Sequence, residues 1–159
     1  MRRFWIRVPV GTLMNNFKNC KQIGEVGERI AIGELAKYGI DVLLPMSDNL
    51  PFDFAIFYNN KIYKCQVKST NTRTASGGLE FSLTSNNWNK GTKYSYSEED
   101  YDILILCDLT NIYLLRFEEV EGKSVFTIRD SPPKSNQVKG IHLASDYIIS
   151  EERLEKVLG

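Results

Sequence analysis

The stretch PFDFAIFYNNKIYKCQVKST, residues 51–70, decides the fold. Two runs of alternating apolar and polar residues flank Asn59-Asn60, and asparagine tolerates the positive φ that a two-residue type I′ turn demands. Closing the hairpin there sets Tyr58 opposite Lys61 and Asp53 opposite Gln66. Side chains on one face of a strand recur every second residue, so Lys68 shares the face of Gln66. Phe54, Ile56, Tyr63, Cys65 and Val67 fall on the other face, toward a core. Three polar groups, Asp53, Gln66 and Lys68, therefore gather at the open end of the hairpin without using its apolar face.

Upstream, Ile23, Val26, Ile30, Ala31, Leu35 and Tyr38 recur at helical spacing, and Gly39 ends that helix. DVLLP follows as a short strand. Downstream, the Gly77-Gly78 turn leads into LEFSL, a polar stretch from Thr84 to Glu99 leads into YDILILC, and a tight Asp108–Asn111 turn leads into NIYLLRF; these read as strands. SPPKSNQVKG is a loop, and Ser150 before Glu151 and Glu152 opens a last helix. The order predicts an α/β fold, a single domain with a mixed central β-sheet flanked by helices. One domain covers residues 1–159, with a core from about 21 to 149 and with residues 1–20 as an extension or a short extra strand.

A chain of 159 residues can bury a core of its own. No apolar run approaches the roughly 18 residues of a membrane span, and DILILC is far too short. The arginines of MRRFWIRVPVG precede neither a long apolar stretch nor a small-residue cleavage site, so a cytoplasmic protein is expected. Cys20, Cys65 and Cys107 are odd in number and form no CxxC pair, which argues against a disulfide framework and a zinc site. His142 stands alone and reads as a packed or surface residue, and no phosphate loop for ATP occurs. Net charge is zero, yet residues 61–93 carry Lys61, Lys64, Lys68, Arg73, Lys90 and Lys93 against Glu80 alone, a net +5. Trp88, Tyr94 and Tyr96 read as packing aromatics. Read without context, Asp53 would cap a loop, and Gln66 and Lys68 would face solvent from an edge strand.

The pattern Asp53, twelve intervening residues, then Gln66-Val67-Lys68 resembles the PD-(D/E)XK nucleases. Phe52 separates Pro51 from Asp53, and glutamine replaces the second acid. GEVGERIAIGELAKYGIDVLLPMSDNLPFDF before the hairpin, QVKST after it and SPPKSNQVKGIHLASDY near the end are similar to the branch containing group I intron homing endonucleases, where Gln-x-Lys is the expected variant. The resemblance spans about Lys21 to Tyr147 and implies a restriction-endonuclease-like core and Mg²⁺-dependent hydrolysis of double-stranded DNA, with Mn²⁺ as a substitute. Asp53 would be the anionic metal ligand, Gln66 and the Val67 carbonyl neutral ones, and Lys68 would orient the attacking water or stabilise the phosphoryl charge. Glu28, Glu25 and Glu34 compete for a second acid on the first helix. Glu28, at the border of the apolar stripe and in the Gly-Glu position of the similar branch, is chosen. Glu34, inside the stripe, needs a basic partner or an oligomer interface. Arg73, Lys90 and Lys93 are the candidate DNA contacts. A double-strand break needs two sites related by a two-fold axis, so a homodimer or homotetramer is expected. A junction-resolving or restriction-type nuclease and a DNA-binding protein without catalysis are the alternatives.

Overall fold

The computed structural model describes residues 19–47, 49–87, 91–133 and 140–159. Residues 1–18, Asp48, Trp88, Lys90 and most of the SPPKSNQVKG loop lie outside the described residues.

The first helix, α1 (Cys20–Lys37), begins three residues earlier than the apolar periodicity indicates, because the Asn19 side chain caps it by accepting the Gln22 N–H at 2.9 Å. Its end is the expected one. Gly39 takes φ +69°, its N–H reaches the Ala36 carbonyl, and the Ile40 N–H reaches the Leu35 carbonyl, so a Schellman motif stops the helix. Ile40 and Leu35 are both buried, which seals the motif with an apolar contact.

The chain then runs through β1 (Asp41–Leu43), β2 (Phe54–Tyr58) and β3 (Lys61–Ser69). Asn59 and Asn60 adopt φ of 49° and 60°, and Tyr58 pairs with Lys61 and Phe54 with Cys65, the register expected of an Asn-Asn type I′ turn. After β4 (Leu79–Ser82), β5 (Ser85–Asn87) and β6 (Thr92–Tyr94) come β7 (Ile103–Cys107), β8 (Ile112–Arg116), the short helix α2 (Phe117–Val120), β9 (Val125–Ile128) and the last helix, α3 (Glu151–Leu158). The five-stranded sheet has the order β1-β2-β3-β7-β8, antiparallel except for the parallel pair β3–β7. It is the mixed sheet of an α/β domain. LEFSL, however, pairs with β9 in a separate two-stranded ribbon, and the polar stretch after it contains a second ribbon, β5–β6. Ser85–Asn87 carries no apolar alternation and so gives no strand signal.

The two faces of the sheet bury different sets. Cys65, Val67, Ile103 and Ile105 meet Ala31 and Leu35 of α1 and Leu154, Val157 and Leu158 of α3, so the packed core runs on through the last helix. Ser150 caps α3 by accepting the Arg153 N–H at 3.1 Å, and Glu151 and Glu152 sit in its first turn. Arg153, 5% exposed, donates to the Leu114 carbonyl at 2.8 Å and to both oxygens of Glu119 at 2.9 and 2.7 Å, which satisfies its buried charge. On the opposite face Leu104, Leu106, Tyr113 and Leu115 pack against Leu79, Phe81, Phe126 and Ile128 of the β4–β9 ribbon and Phe117 and Val120 of α2.

Helix α1 lies directly on the end of β3. A Cβ on Gly27 would stand 1.8 Å from Ser69 Oγ and 2.7 Å from Ser69 Cβ, so only glycine fits that contact, whereas a Cβ on Gly33 meets nothing. The two glycines of one helix should respond to alanine with opposite signs. Gly27→Ala should destabilise by about 1–3 kcal/mol through overpacking, and Gly33→Ala should stabilise by up to about 1 kcal/mol through helix propensity. Urea titration of both variants checks this, and equal effects would refute the contact.

Candidate active site

The open end of the hairpin is closed by a side chain. Asp53, in the bend before β2, donates its N–H to the Cys65 carbonyl at 2.9 Å, the last backbone rung between the strands. Its carboxylate then replaces the missing backbone acceptor: Oδ2 takes the Val67 N–H at 2.6 Å and the Gln66 Nε2–H at 2.5 Å. A carboxylate only accepts, so this contact fixes which end of the Gln66 amide faces it. Nε2 also donates to the Val67 carbonyl at 3.3 Å, which leaves Gln66 Oε1 and Asp53 Oδ1 without hydrogen-bond partners among the described residues.

Gln66 is 5% exposed and β3 is the central strand, so these are not solvent-facing positions of an edge strand. Lys68, two residues on, donates from Nζ to the Tyr96 hydroxyl at 3.1 Å and lies 4.8 Å from the centre of that ring.

Glu28 approaches from α1, placed by the Gly27–Ser69 contact at the end of β3. Burial raises its pKa, and the nearby Asp53 carboxylate and then Glu25 raise it further, against the pull of Arg29 and Lys68. Burial likewise raises Asp53, although the Val67 N–H, the Lys68 charge and the Gln66 amide work in the opposite direction. Two half-desolvated carboxylates that repel each other beside a single ammonium form a site short of positive charge. Glu25 and Glu34 sit elsewhere on the helix: Glu25 lies 4.0 Å from both Lys21 and Arg29, and Glu34 pairs with Lys37 at 2.5 Å, the basic partner that its place in the stripe requires.

The donor set suits a hard divalent cation. Asp53 Oδ1, Gln66 Oε1 and the Val67 carbonyl are oxygens grouped at one strand end, and Glu28 adds a second anionic charge. No cluster of three or more His, Cys, Asp or Glu side chains able to hold a metal exists among the described residues.

Of the expected DNA contacts, Arg73 and Lys93 fall on described residues. Arg73 pairs with Asp130 at 2.7 Å and donates to the Gly77 carbonyl at 2.9 Å. Lys93 lies exposed on β6 without an ion-pair partner among the described residues, and Lys90 is outside them. Lys64, four residues before Lys68 on β3, donates from Nζ to the Glu99 carbonyl. Asp102 and His142 have structural roles. Asp102 accepts the Lys64 N–H at 2.7 Å and registers β3 against β7, and His142 stacks on Phe126 and meets the Tyr147 hydroxyl at 2.9 Å. Sequence reading missed the contact of Tyr96 with Lys68, which are 28 residues apart and joined by no motif.

The sequence model of the PD-(D/E)XK endonucleases matches residues 18–150. Among solved structures, the chain is similar to a bacterial homing endonuclease, I-Ssp6803I, with 20% identity, 87% of this chain and 92% of that chain covered, and a TM-score of 0.68. It also aligns with MepB at 18% identity over 67% of this chain and 84% of that one, with a TM-score of 0.34, too low to indicate a common fold. No curated protein sequence matches it. A mixed five-stranded sheet with Asp53, Gln66 and Lys68 converging beside a helix glutamate is thus accompanied by a family match over most of the chain, and the chain belongs to the PD-(D/E)XK endonuclease family.

Proposed function

We propose that this chain is a metal-dependent endonuclease of double-stranded DNA, a homing endonuclease of the group I intron type, acting in the cytoplasm as a homodimer or homotetramer. The observation that carries the reading is the convergence of Asp53, Gln66 and Lys68 at the end of the central strand with the Glu28 carboxylate beside them. The three free cysteines accord with a reducing compartment, and no helix among the described residues is long and apolar enough to cross a membrane.

Mg²⁺, or Mn²⁺ in its place, would be held by Asp53, Gln66 and the Val67 carbonyl, and it supplies neutralisation of the scissile phosphate and activation of water. The chain's own groups do the rest. The Val67 N–H and the Gln66 amide hold Asp53 in one rotamer, so its free oxygen is presented without reorganisation. Lys68 brings a positive charge to the developing phosphoryl charge and a donor to the attacking water. Glu28 accepts a hydrogen bond from that water and helps to orient it. Lys93 on the exposed strand β6, with Lys90 and Arg73, contacts backbone phosphates; Arg73 does so by exchanging Asp130 for phosphate.

Oligomerisation has a surface available. Leu43, Phe57 and Ile62 share the face that the β4–β9 ribbon leaves open and are 45%, 42% and 62% exposed. Among the described residues, β1 is also a sheet edge without a further partner strand. A second copy would cover this patch and bring a second site to the opposite strand of the duplex.

Cleavage is tested by incubating a library of genomic duplex fragments with the protein and Mg²⁺ and sequencing the cut ends. Discrete, partly palindromic sites are expected, and Asp53→Asn, which keeps an acceptor for the Val67 N–H, or Lys68→Ala should lower the rate at those sites by at least about a hundredfold while sparing folding and most DNA binding. Variants that cut at the wild-type rate would overturn the assignment. Glu28 is checked by thermal unfolding in chelator. Its folded pKa is raised, so its favourable contribution is complete below the ordinary carboxylate range and is lost as pH rises through the folded value. Glu28→Gln should therefore raise Tm near neutral pH by on the order of 2 °C, a gain that disappears near pH 4, while slowing cleavage. A gain that persists in acid would refute the charge conflict. Light scattering without DNA should give a mass of at least two chains, and a monomer that nicks one strand would contradict the oligomer.

A further inference from the structure

Lys68 has an unusual neighbourhood for a residue at the end of a central strand. Its ammonium sits against the ring of Tyr96, 4.8 Å from the centroid, and donates to the hydroxyl of the same residue at 3.1 Å. Lysine has no acceptor, so the Tyr96 oxygen accepts, and the phenol's own proton is left without an acceptor among the described residues.

Tyr96 is itself held. Its ring meets Tyr94 edge to face at 5.3 Å and Tyr101 at 5.4 Å, and Tyr101 meets Phe117 at 5.3 Å. Tyr101 and Phe117 belong to the buried layer beneath the ribbon, so the chain of rings runs from the core to the protein surface. The loop that carries Tyr96 is tied at both sides. The Tyr94 hydroxyl donates to Asp100 at 2.9 Å, and the Ser97 N–H donates to the same carboxylate at 2.7 Å. The seat is therefore tied in place, while the lysine is a flexible four-carbon stem that loses rotamer entropy when ordered.

We propose that Tyr96 is the positioning residue of Lys68: its hydroxyl and ring fix the ammonium at the end of β3, and the loop after β6 carries that seat. The proposal rests on the nuclease reading for its consequence in rate, but not for the seat itself. Tyr96 touches neither Asp53 nor Gln66 in the contacts described and acts through Lys68. The seat follows β6, on which Lys93 lies exposed, so the two residues are three positions apart in the chain.

Two readouts test this on the full chain. In protein labelled with ¹³C-lysine, the Lys68 ε-methylene signal, assigned by its loss in Lys68→Arg, should be displaced from those of the other lysines by the Tyr96 ring current. The shift should persist in Tyr96→Phe and collapse in Tyr96→Leu. On duplex recovered from the cut ends, Tyr96→Phe should keep Tm and DNA affinity, measured with Ca²⁺, and lose roughly tenfold or more in single-turnover rate, as expected for one charge-assisted hydrogen bond. Wild-type or faster cleavage by Tyr96→Phe would overturn the proposal, as would a loss of rate matched by a loss of Tm. An inactive wild-type chain that keeps the ring-current shift overturns the nuclease reading while supporting the seat. An active wild type without the shift overturns the seat alone.

Discussion

The bond from the Val67 N–H to Asp53, 2.6 Å long, lies at the boundary between fold and chemistry. β2 begins at Phe54, so the strand has no further backbone carbonyl to offer β3 beyond the Asp53–Cys65 rung. A buried N–H left there would cost about as much as a lost hydrogen bond. The Asp53 carboxylate fills the gap and is thereby immobilised with one oxygen committed and one free. Burial raises the pKa of the carboxyl all the same, which means that the fold holds an anion where desolvation disfavours it. Such local conflicts are what functional sites retain and structural positions lose.

The sheet's coverage explains why that anion remains accessible. Among the described residues, on the face of Gln66 and Lys68, the β4–β9 ribbon and α2 cover β7 and β8 but leave β1 and β2 open. The polar trio lies along the seam where cover ends. On the other face α1 and α3 pack continuously, and the glycine contact at Ser69 lowers α1 far enough for Glu28 to approach Asp53 around the strand end. Access and enclosure thus come from opposite faces of one sheet.

Charge follows the same geometry rather than the linear tract. The basic run from residue 61 to 93 is threaded through β3, and a nine-residue strand rising roughly 3.3 Å per residue separates its ends by more than 20 Å. Lys64 turns to the Glu99 carbonyl, Arg73 to Asp130 and Lys68 to the site. A net +5 in sequence is thus divided among residues with different partners.

By itself, the sequence determined the hairpin and what the hairpin carries. The Asn-Asn turn sets register, register sets which side chains share a face, and period-two alternation then places Asp53, Gln66 and Lys68 together; every step is local. The same holds for the Gly39 stop of α1 and the Ser150 cap of α3, where one residue's conformation or side chain suffices. Glu28 stood between the two kinds of information, since helical periodicity put it at the border of the stripe and only packing against Ser69 brought it to the site. The β4–β9 and β5–β6 ribbons, the pairing of Arg73 with Asp130 and the seat of Lys68 on Tyr96 were decided by tertiary structure alone. Each joins residues distant in sequence through contacts that leave no period behind, because a cross-strand pair or a ring beneath an ammonium constrains positions in space and not spacing along the chain.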